Sequence, residues 1–310
     1  MRGRKDFLLI VAGAAIAGAA VFCLSLYLGP EGLSIPGDEI LRLRIMRALC
    51  GAGAGAALAA AGVAYQTVLA NPLADPYLLG SSSGAAAGIA ALSFFGVSRA
   101  GLIFPLTAGL CSCLTVAAVL KIAGRSFSKK NIILSGVAVN LFLSAAVIFM
   151  VSIRKKEFFS VMYFMMGDLG ETRISLIAAS LMIAAAGSLF LFAKSRFLNA
   201  LAAGKTLSRQ LGCDWKKESL AALAAASVIT GAAVSISGTI GFIGLMAPHI
   251  ARKFTGSDAR FLLPAAAATG AILLMISDFA AKNILFPQEI PVGVITAMLG
   301  APFFLWIYRK

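Results

Sequence analysis

Apolar runs of membrane length alternate with short polar breaks along almost the whole chain. The first run, 7–28, follows a basic start, Met1-Arg-Gly-Arg-Lys5, and a polar stretch with Pro30 and Pro36 carries the chain on to 43. Further runs lie at about 46–69, 78–97, 102–123 and 131–153. After a charged break at 154–157, the apolar piece 158–167 is too short to span and predicts a short helix tucked beside a bundle. Runs at 173–193 and 219–237 flank the longest polar segment, 194–218. The Pro-broken stretch 244–254 predicts another short helix, and 262–283 and 292–308 complete the set. About twenty apolar residues cross a hydrocarbon core of about 30 Å as one helix. The pattern therefore predicts an all-α polytopic membrane protein with about ten transmembrane helices, in a single domain over 1–310.

Composition closes off soluble folds. Hydrophobic residues make up 60%, charged residues 13%, and mean hydropathy is +0.92. No water-soluble core hides that much apolar side chain. The first run is longer than a signal-peptide core and lacks a small-residue cleavage site before a polar mature chain, so it is expected to stay as a helix with its N-terminus in the cytoplasm. That orientation puts two thirds of the 27 basic residues on the cytoplasmic side. The net charge of +14 is thereby a topology signal rather than a nucleic-acid footprint. The five cysteines fall mostly within apolar runs and read as small packing residues.

The polar breaks hold the candidate chemistry. Residues 70–84, ANPLADPYLLGSSSG, join two runs through Asn-Pro and Asp-Pro steps that end a helix. A turn so polar belongs at an interface or beside a cavity. Gly80-Ser-Ser-Ser-Gly84 fits G-x-S-x-G, but its flanks are helical and the chain has one histidine, His249, so the serines are expected to cap and pack a helix start. His249 is expected to hydrogen-bond within the bundle. No G-x-x-x-x-G-K-[ST] occurs, so the chain does not bind ATP through a P-loop. Gly51 and Gly55 are spaced for close approach of another helix. Asp278, inside an apolar run, is expected to pair with Lys282. Met162, Met165 and Met166 are read as packing, with a ligand pathway as the alternative. Leu207, Leu211 and Trp215 recur every four residues and predict an apolar stripe on one amphipathic helix, for a partner's groove or for the membrane surface. The opening of one run, Phe104-Pro-Leu-Thr-Ala-Gly109, echoes Leu263-Pro-Ala-Ala-Ala-Ala-Thr-Gly270, as an inverted repeat would.

Three segments carry a resemblance. NPLADPYLLGSSSGA at 71–85, GTIGFIGLMAPHIARKFTGSDAR at 238–260 and IPVGVITAMLGAPFFLWIYRK at 290–310 resemble, in order and spacing, the signature stretches of type II ABC importer permeases of the FecCD family. That family carries iron-siderophore complexes, haem or cobalamin. The resemblance implies a multi-pass homodimer in the cytoplasmic (inner) membrane, surrounded by lipid. Two ATP-binding-cassette ATPases would use ATP and Mg on its inner side, and an extracytoplasmic substrate-binding protein would deliver cargo. The chain itself would hold no cofactor or metal, have no catalytic residues and bind no nucleic acid.

The same resemblance assigns roles. Asn71 and Leu73, with Ser128 and Lys129, would form the cytoplasmic gate. Leu207, Arg209, Leu211, Gly212 and Trp215 would belong to the ATPase coupling loop. Arg44, Arg47 and Lys282 would dock the binding protein. The rival class is an ion-coupled secondary transporter, which is expected to carry several mid-membrane carboxylates; here Asp278 is the main one.

Overall fold

The computed structural model describes residues 4–29, 32–33, 36–97, 101–124, 129–153 and 158–308. In chain order the described helices are α1 (Arg4–Tyr27), α2 (Asp38–Val68), α3 (Ser81–Phe94), α4 (Ile103–Ala123), α5 (Lys129–Ile153), α6 (Phe158–Met165), α7 (Ile174–Ala193), α8 (Ser195–Ala202), α9 (Lys205–Gln210), α10 (Trp215–Ser237), α11 (Ile243–Thr255), α12 (Ala259–Asn283) and α13 (Val292–Tyr308). A two-residue antiparallel pair, β1 (Leu28–Gly29) and β2 (Gly32–Leu33), links α1 to α2. The ten expected transmembrane runs appear as α1–α5, α7 and α10–α13, with α6, α8 and α9 as short extras.

The ten differ in length. Among the described residues six helices are long and apolar enough to span: α2, α4, α5, α7, α10 and α12. By contrast α3 has 14 residues and α11 has 13, so each rises only about 20 Å. α3 was expected to start near 78; the turn before it instead runs on to Gly80, whose φ of 75° ends it in the left-handed region. α11 also starts after a left-handed residue, Phe242 at φ 68°. Both short helices are largely buried, so the non-helical stretches that lead into them are enclosed by protein rather than lipid.

The packing is symmetric. α2 lies against α11 and α12, and α10 lies against α3 and α4. α3 packs on α4 and α5 as α11 packs on α12 and α13, while α2 and α10 pack on each other. Exchanging α2–α5 with α10–α13 maps one set of neighbours onto the other, as the echo between Pro105-to-Gly109 and Pro264-to-Gly270 suggests.

Glycine makes these crossings possible. A Cβ on Gly55 would run into the backbone carbonyl of Gly270, and one on Gly270 into that of Gly55. Gly62 meets the carbonyl of Gly244 in the same way, and Gly231 of α10 meets the backbone of Gly109 of α4. Lipid tails give no hydrophobic drive between helices, so contact this close supplies van der Waals attraction that side chains at those points would prevent. α2 is accordingly almost all Gly and Ala from Ala48 to Ala64, and most of it is buried. Of the cysteines, Cys50 and Cys213 are buried, Cys111 and Cys113 half-buried, and Cys23 is exposed on α1.

Gly55→Leu should force α2 and α12 apart at cost above the ~1–3 kcal/mol usual for overpacking, because the obstacle is backbone. Thermal unfolding in detergent should show a clear fall in midpoint, while Gly13→Ala, where a Cβ meets nothing within 4 Å, should leave it unchanged.

Candidate functional site

Two turns within 70–80 are built alike. The Asn71 side chain accepts from the Leu73 amide at 3.0 Å, and the Asp75 side chain accepts from the Tyr77 amide at 2.7 Å. Each Asx turn is followed at once by a proline that fixes φ, so the segment has little freedom. Ser81 closes it by donating to the Pro76 carbonyl at 2.6 Å. The serines were expected to cap α3, but its N-cap is Gly80, with no side-chain cap bond; Ser83 donates to the Gly80 carbonyl instead. Asp75 is buried, with its other carboxylate oxygen facing Gly244 in the first turn of α11. Ser128 lies outside the described residues, as does the side chain of Lys129, so only Asn71 and Leu73 of the expected gate can be placed.

Behind this turn sits Gln66, a buried amide in the apolar run of α2. It donates to the Gly244 carbonyl at 3.2 Å and accepts from Arg252 Nη1 at 2.6 Å. One side chain thus ties the end of α2 to both ends of α11. A cavity of about 250 Å³ opens beside it, lined by Asn71 and Pro72 of the turn, Arg252, and Leu198 and Asn199 of α8.

The helical stripe expected through Leu207, Leu211 and Trp215 is not present. Gly204 (φ 96°) and Gly212 (φ 72°) break the segment, so Leu207 sits on α9, Leu211 in the following turn, and Trp215 at the first position of α10. Asp214 caps α10 by accepting from the Lys216 and Lys217 amides, and this draws Trp215 into the next helix. Trp215 packs on the core, whereas Leu207 and Leu211 are 46% and 65% exposed. The Arg209 side chain lies outside the described residues. Asn199 of α8 donates to Asp258 at 2.8 Å and accepts from the Ala259 amide at 2.7 Å, fastening α8 to the start of α12. Arg260, bonded to Asp258, and Asn199 together hold that carboxyl well below the usual carboxylate range. Lys194 and Glu218 pair at 3.1 Å across the bases of α7 and α10.

A groove runs along α13. Gly293, Val294, Ala297 and Met298 line a cavity of about 550 Å³ with Tyr77, Met165, Met166 and Phe242. Ala301, Phe304 and Leu305 line an adjoining cavity of about 380 Å³ that shares Tyr77 and Phe242. Those α13 positions form one helical stripe. Met165 and Met166 therefore border the groove as well as packing. The Phe242 ring fills the space that a Cβ on Gly300 would take. His249, expected to hydrogen-bond, stacks edge-on against Phe303 at 5.6 Å between centroids.

At the opposite end from α8, the three expected docking residues share one cavity of about 370 Å³ with Glu171 and Glu289. They are not free. Asp278, 4% exposed, is held by Lys282 at 2.8 Å, as expected, and also by Arg47 at 2.8 Å. Arg47 reaches Glu289 at 2.6 Å too. Arg44 donates to the Leu26 carbonyl at 2.6 Å.

The comparisons with known proteins agree with this architecture. The FecCD transport family model matches residues 7–310. The chain is 40% identical over 269 residues to the cobalamin import system permease protein BtuC of Halobacterium salinarum, covering 86% of this chain and 72% of that one. It is 37% identical over 302 residues to the vitamin B12 import system permease protein BtuC of Salmonella paratyphi A, covering 93% and 90%. The ABC transporter permease protein YvrB of Bacillus subtilis is 36% identical over 274 residues, covering 86% and 78%. A solved metal-chelate type ABC transporter in an inward-facing conformation superposes with a TM-score of 0.87 at 27% identity, covering 98% of this chain and 99% of that one. With six helices among the described residues long and apolar enough to cross a membrane and a family match over almost its full length, this chain belongs to the FecCD transport family of ABC importer permeases and is a multi-pass membrane protein.

Proposed function

We propose that the chain carries a cobalamin-type chelate through a homodimer, powered by two ATP-binding-cassette ATPases and fed by an extracytoplasmic binding protein. The α13 groove carries this reading. It is long and lined mainly by methionine, aromatic, aliphatic and small side chains; no charged side chain lines its larger cavity, and buried Asp75 borders the smaller one. Such a wall lets a bulky ligand slide without holding it by ion pairs. The groove is open on one side in a single chain, and a second copy facing it would close the path. The cobalamin relatives at 40% and 37% identity favour that cargo over iron-siderophores or haem. The doubly paired Asp278 is unsuited to bind a coupling ion, which disfavours a secondary transporter. Labelled cobalamin, a ferric siderophore and haem should be offered to cells that depend on this permease; uptake of cobalamin alone is expected, and uptake of another chelate in its place would reassign the cargo.

In this reading α9 and the turn after it meet the ATPases at the cytoplasmic face, through exposed Leu207 and Leu211. Asn199 passes the displacement to the α11–α12 corner, and Arg252 and Gln66 relay it to the turn that holds Asn71 and Leu73. Leu73→Ala should leave ATPase activity running without matching uptake, because the turn stays rigid while its plug shrinks. Tight coupling in reconstituted vesicles would remove Leu73 from the gate. Gly212→Pro should detach or uncouple the ATPase, since Gly212 sits at φ 72° and proline is fixed near −65°. Normal co-purification together with normal uptake would count against the coupling role.

Arg44, Arg47 and Lys282 then face outside and receive acidic residues of the binding protein. Reversing Arg47 would set a second acid beside buried Asp278, so Arg44, half-buried and bonded to a carbonyl, is the cleaner probe. Arg44→Glu should weaken binding-protein affinity at low salt and much less at high salt.

A further inference from the structure

Arg47 is already engaged by two carboxylates in the free permease. Its Nε side is taken by Asp278 at 2.8 Å, and its Nη1 by Glu289 at 2.6 Å. The two acids differ in what they can give up. Asp278 is 4% exposed and cannot lose its cations without stranding a buried charge. Glu289 is 51% exposed and loses little by returning to water. An incoming carboxylate that seeks paired hydrogen bonds from this guanidinium meets Glu289 on the edge it needs, with like charge in ion-pair range. Glu289 is the group that leaves.

The segment around Glu289 is tethered to the groove. Its carbonyl accepts from the Tyr163 hydroxyl of α6 at 2.5 Å, the Ile290 amide donates to Ala281 at 3.1 Å, and the Val292 amide donates to Gly167 at 3.0 Å. Three residues after Glu289 α13 begins, and its stripe along the cavity opens with Gly293 and Val294.

We propose that Glu289 is an internal stand-in for a carboxylate of the binding protein: it occupies Arg47 while the permease is alone and gives way to that carboxylate on docking. This rests on the docking reading above. The self-pair sets the affinity of docking, while the backbone bonds around Glu289 keep its segment at the outer mouth of the groove.

The test uses the detergent-solubilised permease–ATPase complex and, as probe, the fluorescently labelled binding protein that supplies this permease. Glu289→Gln should tighten binding about two- to five-fold at low ionic strength, the span of an exposed ion pair, and the gain should vanish at high salt. Glu39→Gln removes the same charge from an exposed position in the first turn of α2, at the same end of the bundle, and should change affinity far less. Equal tightening by both variants would reduce the effect to the general field of the face and overturn the stand-in. No tightening by Glu289→Gln, with Arg44→Glu still weakening binding, would also overturn it while leaving the docking reading intact. No response to Arg44→Glu and none to Glu289→Gln would remove both.

Discussion

Backbone-to-backbone contact between α2 and its two neighbours is the constraint on which the remaining structure depends. At Gly55–Gly270 and Gly62–Gly244 the helices touch where any side chain would hold them apart. α2 is long, at 31 residues, and nearly featureless in side chains over its central half. That lack of features allows α10, α11 and α12 to converge on it from several directions. The mirror crossing at Gly109–Gly231 does the same for α4 and α10.

Once the full-length helices are packed this closely, the short ones have a place. α3 and α11 stop partway, and the chain leading to each is irregular. Irregular backbone is tolerated at membrane depth only where protein satisfies its polar groups. Here Asn71, Asp75 and Ser81 supply the bonds around 70–81, and Gln66 attends to the first turn of α11. The residues that look least suited to a membrane are therefore those that let the helices be broken. Phe242, bulky and left-handed, is the one strained wall of the groove and is held there by the gap at Gly300.

Most of the helices were legible in the sequence, because twenty apolar residues between charged breaks have few other fates. So was the i,i+4 pair of Asp278 and Lys282, which depends only on local spacing. The partners missed were nonlocal. Nothing adjacent to Glu289 announces that Arg47, 242 residues away, will receive it. Gln66 could have been noticed as a lone amide in an apolar helix, but its two partners on α11 depend on the glycine crossing. The stripe through Leu207 and Trp215 failed for a readable reason: Gly204 and Gly212 are helix breakers, and Asp214-Trp-Lys-Lys-Glu218 is a helix start.

The Gly55–Gly270 crossing also divides α12 into two nearly equal arms. From Gly270 the helix runs about 16 Å back to Ala259, where Asn199 is fastened, and about 18 Å on to Lys282, where Asp278 and Arg47 meet. A beam pivoting at such a point returns a push at one end as a swing of similar size and opposite sense at the other. Were α12 to rock there, a single helix would join events at the two faces of the membrane, and glycine at the crossing leaves no side chains to interlock.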